Sequence, residues 1–169
     1  MTDENKLVVD GLRLSYNGIF DIIDFYKTVE DWIRENGYEK EIKKKLEHVI
    51  PTGKKLEWHI EIWKQVYDWA RIVVSMRALF NNVKEVELEK AGAKRRLNHG
   101  DALIIFDAWL EMDLEGRWQQ KPGYFFLRTL FDKFVYMFWG EKEKVTTPLK
   151  NDTYKLHKRL TAFFNLYRY

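Results

Sequence analysis

The sequence predicts an α+β fold: a single antiparallel β-sheet of about five to seven strands, with one N-terminal and two C-terminal helices packed on one of its faces. Three observations predict it. Apolar residues alternate with period two through the middle of the chain, as half-buried antiparallel strands require. They recur at helical spacing once near the start and twice near the end. Turn signals stand between the alternating stretches, close enough to join neighbouring strands directly. The expected order is β-α-β-β-β-β-β-α-α in one domain spanning all 169 residues.

Taken in order, Leu7 to Tyr16 reads as the first strand and Asn17-Gly18 as a turn. Ile22, Phe25, Tyr26, Val29, Trp32 and Ile33 then form one helical stripe, which Asn36-Gly37 ends. A strand from Glu41 to Ile50 stops at Pro51-Thr52-Gly53. In the next, Leu56, Trp58, Ile60 and Ile62 share a face; in the one after, Ala70, Ile72, Val74, Met76 and Ala78 do. Val86 and Leu88 mark a short strand. Ala91-Gly92 reads as a tight hairpin and Asn98-His99-Gly100 as a further turn, with an extra short strand from Ala93 to Leu97 between them. Ala102 to Leu114 gives the longest alternation.

The stretch YFFLRTLFDKFVYMFWG, residues 124–140, decides between membrane and core. Leu127, Leu130, Phe131, Phe134, Val135 and Phe138 fall on one helical arc, with Arg128, Asp132 and Lys133 opposite. A membrane span needs about 20 largely apolar residues, and charges near its middle are costly. The stretch therefore reads as an amphipathic helix, not a span. A last helix follows Pro148, with Asp152 or Thr153 as its cap and Leu156, Leu160, Phe163, Phe164 and Tyr167 as its stripe.

Composition narrows the chemistry. The 29 basic and 26 acidic residues leave a net charge of only +3, so long-range attraction to nucleic acid or anionic lipid is modest. The absence of cysteine excludes disulfides, Cys-ligated zinc, iron–sulfur clusters and Cys nucleophiles. The polar, acidic MTDENKLVVDG start lacks the features of a secretory signal, and the chain reads as cytoplasmic. Neither GxGxxG nor GxxxxGK[ST] occurs, and Ser15 and Ser75 stand outside any GxSxG. Glu57, His59 and Glu61 alternate on a strand, which reads as a polar face rather than a metal site. No cofactor, metal or catalytic residue is expected.

Three groups of residues remain as candidate sites. His48, on the mostly apolar parity of its strand with Ile42, Leu46 and Ile50, would line a ligand pocket with Trp58, Trp118 and Phe131. Trp63, Trp69, Arg71 and Trp109 have the outward parity of their strands, and Tyr136 and Trp139 lie near the polar arc of their helix; these six would form an interface, where aromatics and Arg are enriched. Lys90, Lys94, Arg95 and Arg96 form a basic hairpin. The order of elements resembles that of helix-grip proteins, in which a curved antiparallel sheet wraps a long helix around an apolar cavity; two C-terminal helices would depart from that plan. The favoured reading is a non-enzymatic interaction or oligomerisation module with a protein partner or further copies of itself. The alternatives are a carrier of an apolar small molecule between sheet and helices, and, least favoured, nucleic-acid binding at the basic hairpin.

Overall fold

The chain runs β1 (Glu4–Phe20), α1 (Ile22–Glu35), β2 (Glu39–Ile50), β3 (Gly53–Tyr67), β4 (Ala70–Lys90), β5 (Ala93–Met112) and α2 (Tyr124–Asn165). The computed structural model describes the backbone of residues 4–112 and 124–168, and their side chains apart from residues 4, 90 and 124–143. The strands form one antiparallel sheet in the order β1-β5-β4-β3-β2.

Helix α1 forms where the apolar stripe predicts it, burying Phe25, Val29, Trp32 and Ile33. The Asp21 side chain accepts from the Ile23 and Asp24 amides, and Asn98 Oδ1 accepts from Ile22 N at 3.0 Å, so the helix start leaves few donors unpaired. At the other end Tyr38 N donates to Ile33 O and Gly37 N to Arg34 O, with Gly37 at φ 70°. This is a Schellman ending, and the left-handed backbone it needs is why glycine follows Asn36.

The alternating residues of β3, β4 and β5 supply the inner layer of the core. Ile60, Ile62, Ala70, Val74, Met76, Ala78, Ile104, Phe106, Ala108 and Leu110 are fully buried. Aromatic rings lock α1 and the end of α2 onto this layer. Phe25 alone meets Tyr26, Trp58, Phe80, Phe163 and Phe164, at centroid distances of 5.2 to 6.3 Å.

Three sequence expectations are corrected. First, two pairs of expected strands are continuous. The Val86–Leu88 stretch is the far half of β4, and the residues from Ala93 to Leu97 open β5. The break expected between the halves of β4 is a bulge between Asn81 and Lys84, with Asn82 at φ 54°. Neither the expected turn at Asn17-Gly18 nor the one at Asn98-His99-Gly100 is present: Asn17 and Gly18 continue β1 opposite Asp101 and Gly100, and Asn98-His99-Gly100 faces that bulge. A Cβ at Gly100 would lie 3.0 Å from Asn81 O and 3.1 Å from Val83 Cα, so glycine is there for close approach. The tight hairpin at Ala91-Gly92 is present, both residues having positive φ.

Second, one C-terminal helix replaces the expected two. α2 runs through Pro148. Thr153 is buried inside it, bonding Leu149 O four residues back, and Asp152 accepts from Tyr38 OH at 2.8 Å. Neither residue caps a helix start. Tertiary packing here overrides the proline, which costs an interior helix about 3 kcal/mol. A single long C-terminal helix also brings the order of elements closer to the helix-grip arrangement.

Third, β2 changes parity. Ile42 pairs with Ile60, but Lys44 pairs with His59, so Lys43 is an extra residue. The bulge turns Lys45, Glu47 and Val49 toward the helix side, and Lys44, Leu46 and His48 away from it. Lys43 and Lys44 therefore share the outer side, where they reach Glu61 and Glu57.

Candidate functional site on the outer face of the sheet

The face turned away from the helices is built by the residues that alternate with the core. Cross-strand register sets its rows. Gln65, Arg71 and Glu111 form one, Trp63, Val73 and Trp109 the next, then Glu61, Ser75 and Asp107, then His59, Arg77 and Ile105. Val73 is 1% exposed yet lies outside the core between sheet and helices, so it is covered from the outer side.

Trp63, Arg71 and Trp109 do come together. The Arg71 guanidinium lies 5.2 Å from the Trp63 ring centroid and 3.0 Å from Glu111 Oε1. Trp109 Nε1 donates to the other Glu111 oxygen at 3.3 Å. Cation–π and charge-assisted contacts thus tie two indoles into one cluster. Arg71 and Glu111 keep 25% and 17% of their side-chain surface, so the pair is screened less than a surface ion pair. Glu111 was missed as a member; its alternation marks only an outward carboxylate.

Trp69 does not join this row. It lies in the turn after β3, stacked on Tyr67 at 5.4 Å, and packs against the inner core. A bulge between Gln65 and Tyr67 ends the outward parity that the sequence extends to both residues. The side chains of Tyr136 and Trp139 lie outside the described residues.

The adjoining rows are polar and closely paired. His59 Nε2 and Ser75 Oγ are 3.0 Å apart, Gly11 N donates to Asp107 Oδ1 at 2.8 Å, and Arg77 lies 3.8 Å from Asp107. Burial lowers the His59 pKa, with Arg77 and Lys43 acting in the same direction against Glu61 and Glu57. A neutral His beside a Ser has the form of a base and nucleophile. Ser75 sits in central strand β4, however, whose backbone amides serve the ladders to β3 and β5 and are not free to form an oxyanion hole. Glu61 and Glu57 are engaged by Lys43 and Lys44 at 3.5 and 3.2 Å. Among the described residues no group of three His, Asp or Glu side chains could hold a metal ion.

His48 and Trp58, the described members of the expected ligand pocket, do not share a side of the sheet. His48 is exposed on β2, and the Lys43 bulge turns it to the outer side, opposite Lys55. Trp58 is buried, edge-on to Tyr26 at 4.7 Å and to Phe25. Trp118 and the Phe131 side chain lie outside the described residues. A groove of about 430 Å³ does open nearby, between the start of α1 and strands β2 to β5. Ile22, Tyr26, Leu56 and Val83 give it an apolar lining, with Lys45 and Asn98 among its polar groups. Sequence reasoning missed these residues because a β2 bulge and a β4 bulge bring them together.

On the basic hairpin Lys94, Arg95 and Arg96 are exposed, and the Lys90 side chain lies outside the described residues. Acids face these cations: Lys94 pairs across the ladder with Glu89, Arg96 lies 4.0 Å from Glu87, and Arg95 lies 3.6 Å from Asp21. Among the described residues no helix is long and apolar enough to cross a membrane. Compared with known proteins, the chain matches no protein-family model and no curated protein sequence.

Proposed function

We propose that this protein is a non-enzymatic interaction module that docks a protein partner, another chain or a further copy of itself, on the outer face of its sheet. The observation that supports this most is the Trp63–Arg71–Trp109–Glu111 cluster. It gathers two indoles and a guanidinium on the face opposite both helices, where the core has no use for them. Such residues dominate the binding energy of interface centres. The backbone amides beside the His59–Ser75 pair are taken up by the sheet ladders rather than offered to an oxyanion, which favours docking over catalysis. Acids opposite each described cation of the basic hairpin favour a protein partner over phosphate. The test is association of Trp63→Ala and Trp109→Ala by light scattering and by affinity capture. Binding at least about tenfold weaker with an unchanged circular dichroism spectrum is expected; unchanged association in both variants would remove the reading.

A second reading has its own support. The groove of about 430 Å³ at Tyr26 is large enough for a small amphipathic molecule. Tyr26→Trp would fill part of it, so loss of a co-purifying small molecule in that variant supports carriage, and unaltered binding opposes it.

A further inference from the structure

β2 is an edge of the sheet, with β3 as its only neighbouring strand among the described residues. Every residue from Glu41 to Val49 is exposed. Three of them are large and apolar: Ile42 at 50%, Leu46 at 52% and Val49 at 70% exposure. An edge of this length offers a row of backbone donors and acceptors to any strand that can lie against it.

We infer that β2 pairs antiparallel with β2 of a second copy about a two-fold axis at Leu46, joining two sheets into one. Directly opposed residues in an antiparallel pair lie on the same face, which limits the registers to those of equal parity. Centred on Lys45, the pairing would set Lys45 against Lys45. Centred on Glu47, it would set Glu47 against Glu47. Centred on Leu46, it sets Leu46 against Leu46, Lys45 against Glu47 twice, and Lys44 against His48.

The Lys43 bulge then does the rest. Skipping that extra residue brings Ile42 opposite Val49, and both face the helix side. Each exposed apolar residue of β2 thereby gains an apolar partner, Leu46 on the outer side and Ile42 with Val49 on the helix side, and every lysine–glutamate opposition is favourable. Lys45 has no acidic partner among the described residues of its own chain; its ammonium stands 5.3 Å over the Tyr26 ring. Glu47 of the second copy would supply that partner. Edge lysines commonly guard against pairing; here their alternation with Glu47 admits one register and opposes its neighbours.

The chain has no cysteine, so one introduced thiol reports a single contact. Leu46→Cys is expected to form a disulfide-linked dimer under mild oxidation at least about tenfold faster than Ile23→Cys, a control on α1 that is 75% exposed. Ile42→Cys and Val49→Cys should each link slowly alone and rapidly when mixed, because the register opposes the two positions. Lys45→Glu added to Leu46→Cys should slow linkage, and Glu47→Lys added to that pair should restore it. Leu46→Cys linking no faster than Ile23→Cys overturns the inference. So does Ile42→Cys linking alone as fast as Leu46→Cys. Trp109→Ala should leave the Leu46→Cys rate unchanged, so the edge and the outer face stand or fall separately.

Discussion

The same strands make both faces of the sheet, yet the two faces hold different chemistry. On the inner side β3, β4 and β5 present an unbroken apolar layer, closed by the ring cluster around Phe25. On the outer side the intervening residues run from an indole–guanidinium cluster into rows of paired charges. Neither face follows from strand propensity. The inner face is specified by volume, the outer by which partners lie directly across the ladder. The two faces should therefore respond differently to truncation, titration and added partners.

The largest contrast is in stability. Phe25→Ala removes a ring that is 0% exposed and contacts five others, so a loss of about 3–5 kcal/mol is expected in urea denaturation. A loss below about 1 kcal/mol would show that the ring cluster is not the anchor of the helices. Trp109→Ala, on the half-buried outer face, should cost about 1–2 kcal/mol in the same assay while weakening association. If it unfolds the protein as readily as Phe25→Ala, the outer face is a second core and not a docking surface.

Titration separates the faces more finely. Burial, followed by its hydrogen bond to Asp24, raises the Tyr167 pKa from 10.0 to about 12. A raised value means the folded state holds the proton longer. Tyr167 thus stabilises the fold fully below pH 10.0, and the contribution is lost as pH climbs toward about 12. Tyr167→Phe should flatten that alkaline decline; an unchanged slope would contradict the packing between the end of α2 and α1. On the outer face the sign is reversed. Burial lowers the His59 pKa below 6.5, so its contribution is present above that pH and lost as pH falls through the lowered value. This is the smallest effect, because His59 is partly exposed. His59→Gln should remove a shallow decline in denaturation midpoint between neutral and mildly acid pH, and an identical acid limb in both proteins would count against the burial of His59 in the outer face.

Most of the fold was legible because periodicity is a local property. The α1 stripe, the alternations of β3 to β5 and the Ala91-Gly92 hairpin stand where the pattern puts them. Bulges were not legible. One inserted residue at Lys43 moved His48 out of the expected pocket, and another after Gln65 withdrew Trp69 from the outer row. Both depend on cross-strand fit, which a single strand's sequence does not contain. Pro148 was misleading for a related reason: its local cost suggested a break, and the packing of Leu149 and Leu156 on the sheet outweighs it. Trp63, Arg71 and Trp109 were found because their stretches of ladder are regular, whereas Lys45 and Tyr26 meet only through the altered parity of β2.

Native mass spectrometry of freshly captured protein, beside Trp109→Ala and a denatured control for chain mass, tests the docking account most directly. The account predicts an assembly of chain-sized masses, with a second copy or a distinct protein, that Trp109→Ala diminishes. A wild-type monomer carrying only a small non-covalent mass would contradict it, and so would assemblies that, beyond the two-copy species given by β2 pairing, are untouched by Trp109→Ala.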